Sequence, residues 1–535
     1  MEPLSWTGAL GTYLNPALGI AFFCLIASSL IQFVLNFTAE PMRMQANADG
    51  TLMKRGGFLG KFEQTTKLFL FALIAVILSY IILGALVPYG SAGIIGAMSK
   101  QFIPVWLCLV ALFAVSITFK RRLGLYGKLF DSTIGMIGFG LVMFWVFTAL
   151  LAGVFDMLAT FDPLQQVSGL KNKTPGVVVP EGTEGRVPHY LLGGDNLARD
   201  IFSRVIHGST IVIAIAPLAT VFAFMVGITL GLPAGFYTGA AIEWGKLGAI
   251  VVAFCFAVLS IAVFIISGFK VGFIFTLAEL VLFYLLLRTK LDTVLSFCAN
   301  LILAFPVILL FYLLVTPEIV ATGIPTYMAM FLFIFPLIFF GVLLNSRYHT
   351  QPAKRGPILA IVLGVLGWLY LSLINQSGTP VNFLPGWFDL FDINSGILVV
   401  FVSVVFVNSP TVFRIVRGLA LDLRTRDYVA AAQTRGERPW YIMLWEILPN
   451  ARGPLIVDFC LRIGYTTILL GTLGFFGLGL QPESPDWGSM INHGRPYVRL
   501  ATSAHLALFP ALALMSLVLG LNLLADGLRE ESLKD

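Results

Sequence analysis

STIVIAIAPLATVFAFMVGITLGLP, residues 209–233, runs for 25 residues without a charged side chain. As a helix rising about 1.5 Å per residue it would cover roughly 37 Å, enough to cross a hydrocarbon layer about 30 Å thick. It reads as a membrane-crossing helix. Requiring about 20 predominantly apolar residues elsewhere adds 17–37, 68–88, 103–119, 134–155, 247–267, 271–287, 293–315, 326–344, 357–374, 396–413, 454–478 and 505–524. The expectation is thirteen spans, with short runs such as 271–287 open to a re-entrant reading. Composition agrees, since 58% of the 535 residues are apolar and 12% are charged, against about 25% charged in soluble domains. A soluble multi-domain enzyme and a disordered chain are excluded. The fold class is all-α, a polytopic membrane protein.

Lys and Arg set the sidedness, because short cytoplasmic loops carry their excess. With the N-terminus outside, 24 of the 34 basic residues fall on the inner side and nine on the outer side, with Arg462 inside a span. This gives N-out, C-in. The net charge of +6 follows from that topology; no basic block interleaved with aromatics points to nucleic acid. The N-terminus has no Lys or Arg before its first apolar run, so that run is expected to be retained as a span rather than removed as a signal peptide. Cys24, Cys108, Cys255, Cys298 and Cys460 lie in apolar runs without paired spacing and read as small buried hydrophobes.

Two loops are long. The outer one, 156–208, ends in LLGGDNLARDIFSR (191–204), where Leu197, Ile201 and Val205 recur at helical spacing and suggest an amphipathic interfacial helix. The inner one, 414–453, contains DYVAAAQTRGERPWYIMLWEILPN (427–450). It reads as helix, break, helix, with Gly436 as the stop, Pro439 near the next start and Pro449 at the end. Such a segment is either a rigid knob for another protein or an amphipathic surface loop.

Nucleotide and metal chemistry find no foothold in the sequence. The surroundings of Gly60-Lys61 and Gly127-Lys128 lack the spacing of a phosphate-binding loop, and the five histidines are scattered. No catalytic residue, metal or cofactor is assigned to the chain. Ionisable residues within spans are costly and therefore candidates for function. Asp458 and Arg462 are four apart and share a helix face; they either line a path or satisfy one another. Arg499 and His505 read as interfacial, Asn300 and Asn408 as interhelical hydrogen-bond partners, and Glu279 as undecided.

The 427–450 segment resembles the loop by which permeases of binding-protein-dependent ATP-binding-cassette (ABC) importers dock on their ATPases. That loop has a Glu-Ala-Ala start, a Gly and an Ile/Leu-Pro end. The match falls on Ala430, Ala431, Ala432, Gly436, Leu448 and Pro449, with Ala430 in place of the Glu. GGDNLARD (193–200), LPAGFYTG (232–239), LDTVLSFCANLILAFP (291–306), RIVRG (414–418), PESPDWGSMINHGRPY (482–497), LALFPALAL (506–514) and ADGLRE (525–530) are similar to segments of the second membrane subunit of oligopeptide, dipeptide and nickel permeases. In 193–200 the outer motif is Gly193, Asp195, Arg199 and Asp200, with Gly194 replacing a Thr and Ala198 a Gly.

The resemblance implies a six-span core interrupted by about seven added spans. The core is 133–240, 291–316 and 396–535, the last part carrying the coupling loop 414–453. The additions are an N-terminal extension, 1–132, and hairpins at 241–290 and 317–395. It further implies a permease subunit moving peptides or similar small solutes by alternating access, and no enzyme activity of its own. ATP and Mg belong to two separate ATPase subunits. The other implied partners are a second, homologous permease forming a heterodimer, an extracytoplasmic solute-binding protein and the lipid of a bacterial or archaeal plasma membrane. Two rivals are an ion-gradient-driven secondary transporter, resting on Asp458 and Glu279, and a non-transporting membrane scaffold, resting on the missing Glu.

Overall fold

The computed structural model describes residues 3–38, 45–46, 52–53, 58–239, 291–375, 385–388, 395–478, 483–500 and 502–532. The expected spans 247–267 and 271–287, and Glu279 and Cys255, lie outside them. The regular structure of the described residues is helical apart from two pairs of two-residue strands, Gln45–Ala46 with Leu52–Met53 and Val177–Val178 with His189–Tyr190, both antiparallel. Among the described residues ten helices are long and apolar enough to cross a membrane, or eleven if one bent pair counts as a span.

In chain order the main helices are α1 (Gly11–Thr38), α2 (Phe58–Leu86), α3 (Tyr89–Gln101), α4 (Ile103–Phe119), α5 (Thr133–Gly153), α6 (Ile201–Phe236), α7 (Leu291–Ala304), α8 (Val307–Val315), α9 (Ile324–Arg347), α10 (Pro352–Ile374), α11 (Ser395–Leu423), α12 (Asp427–Thr434), α13 (439–450), α14 (Arg452–Phe475), α15 (Trp487–Gly494) and α16 (His505–Ser532). Helices α1 and α2 turn Phe22, Phe23, Phe33, Leu68 and Phe71 outward. Water would penalise such surfaces and lipid does not. Cys298 is exposed in the same sense and Cys24 and Cys108 partly so, while Cys460 is buried; the expectation of five buried thiols holds for Cys460 alone among these four.

Several expected boundaries change, three of them with a direct bearing on the site. The span at 293–315 is not straight, because α7 and α8 meet at 80°. Pro306 sits between them, lacking an N–H and disfavouring helix at Phe305. Helix α11 runs on through Leu423, so the first ten residues assigned to the 414–453 loop continue the span. Helix α6 begins at Ile201, eight residues early.

The chain forms two compact units. One comprises Met1–Val115, Met143–Thr210 and Pro485–Ala513, the other Ser116–Val142, Ile211–Ser484 and Leu514–Asp535. In the second unit, Gly227, Gly231 and Gly235 repeat every fourth residue along α6 and form a flat ridge against α11. An added Cβ there would meet Val412, the Phe413 carbonyl and the Arg417 carbonyl at 2.5–2.9 Å. Small residues at this spacing let two helix backbones approach closely. Around that seam Phe224, Leu232, Val412, Val416 and Ala420 form a core shared with Val429, Ala432, Ile442, Met443, Leu444 and Ile447 of the 427–450 segment.

Candidate functional site

The 427–450 segment is a knob with two faces. On α12, Val429 and Ala432 are buried, while Ala430, Ala431, Gln433 and Thr434 are exposed. Gly436 stops the helix in the left-handed region at φ +76°. Its N–H donates to the Gln433 carbonyl at 2.9 Å, and the Glu437 N–H donates to the Ala432 carbonyl at 3.2 Å. These two bonds are the paired closure of a Schellman cap, which favours glycine at this position. A Cβ on Gly436 would meet nothing within 4 Å, so the turn faces open space.

Pro439 then starts α13 at its first helical position, where its missing N–H costs nothing. The middle of α13, Ile442–Ile447, is π-helical. Leu448 is half-buried and Pro449 exposed. Arg435 Nη2 donates to Glu446 Oε1 at 2.9 Å, tying the two arms. Arg426, Arg435 and Arg438 are exposed, as are Ala430 and Ala431. The expected helix, break, helix is present, and the six residues singled out lie on one short segment.

The outer motif is a loop, not the expected interfacial helix. Asp195 Oδ1 accepts from the N–H groups of Leu197 (2.8 Å) and Arg199 (2.9 Å), and its Oδ2 accepts from Arg199 Nε at 2.7 Å. Arg204 Nε lies 3.7 Å from the same oxygen. These local bonds compete with helix formation, and Ala198 has φ +60°. Asp200 then caps α6, accepting from Ser203 N at 3.0 Å, Ser203 Oγ at 2.7 Å and Thr160 Oγ1 at 2.8 Å. Burial pushes the Asp200 carboxyl above its ordinary range, against those hydrogen bonds. It also raises the Tyr190 phenol, with Asp200 and Asp195 adding to the effect.

Ala198 stands where the resembled motif has Gly, and it holds the conformation that only Gly adopts freely. Ala198→Gly is therefore expected to stabilise this loop by about 1 kcal/mol, seen as a higher midpoint in thermal unfolding of the purified chain. Gly194, in the place of a Thr, lets the Leu170 carbonyl approach to 2.0 Å from where a Cβ would sit.

In the same unit, Trp487 is fully buried and donates from Nε1 to the Val205 carbonyl at 2.8 Å. Asp486 caps α15 by accepting from Ser489 N at 2.8 Å. Burial raises the Asp486 carboxyl to about 6, despite its hydrogen bonds and the nearby Arg204 charge. Unfolded, it titrates near 3.8. Between those values the folded state holds more protons than the unfolded one, so stability falls as pH rises through the window and the full penalty stands above it. That penalty is about 3 kcal/mol. Asp486→Asn keeps the capping acceptor, so it is expected to raise the unfolding midpoint at pH 7.5 and leave it unchanged near pH 4.

Within α14, Arg462 Nε donates to Asp458 Oδ2 at 2.7 Å, with side-chain exposures of 8% and 18%. The i, i+4 pair satisfies itself. Asn408 Nδ2 reaches Thr466 Oγ1 at 3.2 Å, and Arg414 Nη2 donates to Asn300 Oδ1 at 2.6 Å, so both asparagines bond between helices as expected. His505 Nε2 is 3.1 Å from the Lys173 carbonyl.

Two constellations were missed. Arg417 pairs with Asp292 through Nε and, at 2.8 Å, through Nη2. Arg424 donates to the Phe236 and Thr238 carbonyls at 3.2 and 2.8 Å. They tie α11 and the residue just after it to segments more than 100 residues away, a separation no local pattern reveals.

The described residues thus form a helical chain with several helices long and apolar enough to cross a membrane and a glycine-capped knob between two of them. Comparison with known proteins gives a partial match: residues 271–530 are similar to the family model described as binding-protein-dependent transport system inner membrane component. Curated relatives include proteins named glutathione transport system permease protein GsiD. The one from Pectobacterium atrosepticum is 40% identical over 136 residues, 25% of this chain and 44% of the relative. Those from Escherichia coli O1:K1 and Shigella flexneri serotype 5b are 40% identical over 138 residues, 26% of this chain and 45% of each relative. The chain thus matches less than half the length of these relatives.

Proposed function

We propose that the chain is the permease subunit of an ABC importer. It would carry peptides or peptide-like small solutes, the glutathione of its relatives' names among them, by alternating access. Energy would come from ATP hydrolysed on two separate subunits. The observation that carries this reading is the knob, whose apolar side is fixed to the α6–α11 core while Ala430, Ala431, Gly436 and Pro449 face outward. Small residues on a rigid, capped turn suit insertion into a cleft of another protein.

The remaining roles follow from this reading. Ala432 anchors the docking helix, and Leu448 ends the segment. With Ala430 in place of a Glu, the docking segment lacks a carboxylate at that position, and of its exposed Arg426, Arg435 and Arg438 the first two pair with Asp422 and Glu446. Asp458 and Arg462 border the path as a neutralised pair. Gly193, Asp195, Arg199 and Asp200, all buried, hold the shape of the outer loop on which a solute-binding protein would rest, and a second, homologous permease completes the passage. The N-terminus lies outside and the C-terminus inside. Supporting this, the Leu4 N–H donates to the Gly176 carbonyl at 2.9 Å, which puts the N-terminal segment on the side of the 156–208 loop.

Affinity capture of the chain from its own membranes in mild detergent tests the reading. Recovery of an ATP-hydrolysing subunit and a second permease is the expected result. Capture of neither, with uptake that follows an ion gradient and ignores ATP depletion, would replace it with a secondary transporter.

A further inference from the structure

The hairpin α9–α10 is an addition to the six-span plan, yet its end lies against the knob. The Trp445 indole Nε1 donates to Ser346 Oγ at 3.1 Å. Ser346 Oγ in turn donates to the Leu343 carbonyl at 2.8 Å, which leaves its lone pairs to receive the indole. Arg347 stacks its guanidinium over the same ring, 4.7 Å from the centroid. His349 meets Tyr441 edge-on, with centroids 6.2 Å apart. Phe339, Val342 and Leu343 pack on the knob's buried side. Two contacts therefore join the end of an added helix to Trp445 in one turn of the coupling segment, a third joins His349 to Tyr441 just before that turn, and an apolar seam runs beside them.

That turn is the π-helical one, Ile442–Ile447. A π turn carries one residue more than an α turn, and π turns are uncommon and concentrated at functional positions. Converting it to α would advance everything after it by one residue, a rotation on the order of 100°. Leu448 and Pro449 would then present another face. Trp445 lies in the middle of this turn, and its ring reaches Ser346 and Arg347 from the π register.

We propose that the added hairpin holds the coupling segment in its π register, with Trp445 as the joint and Ser346 and Arg347 as positioning residues. Through that register the hairpin sets how a partner ATPase is engaged. The inference rests on reading the knob as an ATPase dock. The buried apolar residues keep the knob attached to the core, and the hairpin contacts fix its rotation. Losing them should therefore change what a docked ATPase does more than whether it docks.

The test uses the complete complex captured through the full chain and reconstituted in lipid nanodiscs, with ATP as the probe. Two quantities are read, ATPase subunits retained per permease and ATP hydrolysed per retained ATPase. The double variant Ser346→Ala, Arg347→Ala is expected to keep ATPase retention within twofold and lower hydrolysis per ATPase at least fivefold. Arg347→Lys alone keeps the cation over the ring and is expected to stay within twofold of the native rate. Trp445→Phe keeps the ring and loses the N–H, so it should fall between. Unchanged hydrolysis in the double variant overturns the proposal. So does loss of the ATPase itself in that variant, which would make the contact a support for the knob's fold. If the native chain retains no ATPase, the docking reading fails and the inference falls with it.

Discussion

Replacing Gly436 with valine is expected to cut the ATPase captured with the chain at least tenfold while the chain still inserts at its normal level. The backbone at Gly436 is left-handed, φ +76°, a conformation that costs an L-residue about 1–2 kcal/mol and a β-branched one more. That cost is small beside the apolar burial of Val429, Ala432, Ile442, Met443 and Ile447, which holds the knob to its core. No neighbour lies within 4 Å of the new Cβ, so the side chain meets no clash inside the chain. It projects instead into the space a docking partner needs. Gly436→Ala pays the backbone cost with less bulk and is expected to lose less. Quantifying captured ATPase against captured chain on stained gels reads both variants.

Asp195→Ala is expected to destabilise the outer loop by about 3–5 kcal/mol, the range for leaving buried charge without its partner. Arg199 and Arg204 are 2% and 0% exposed, and Asp195 faces both. Its carboxylate also accepts two backbone N–H groups, so alanine would remove the counter-charge and the turn together. Asp195→Asn keeps an acceptor and is expected to lose less. Thermal unfolding followed by tryptophan fluorescence, to which the buried Trp487 and Trp145 contribute, measures both.

How much of this was legible depends on where each signal lives. Spans could be read because lipid demands long apolar runs, and α4 and α10 end where the run ends. Helix α6 was read short because Arg204 and His207 break its run; Arg204 is in fact buried against Asp195 and the Pro163 carbonyl. Leu197, Ile201 and Val205 mimicked an amphipathic helix, but the Asp195 turn and Ala198 interrupt it. Gly436 was legible because a local backbone rule selects glycine after a helix. The Asp458–Arg462 pair was legible because four residues is one helical turn. Trp445 was not, since its partners Ser346 and Arg347 lie about a hundred residues earlier and only folding brings them to it. The Gly227, Gly231, Gly235 ridge was visible as a spacing, but the sequence does not say which helix lies on it.

On this reading the exposed side of the knob docks on an ATPase. A photo-crosslinking residue placed at Ala431, which is exposed on that side, tests it directly in membranes containing the whole complex. Irradiation is expected to join the chain to an ATP-hydrolysing subunit, and the same probe at the outward-facing Phe33 of α1 is expected not to. Absence of that adduct from Ala431 while Phe33 yields it, or adducts from Ala431 to other membrane proteins alone, would contradict the account.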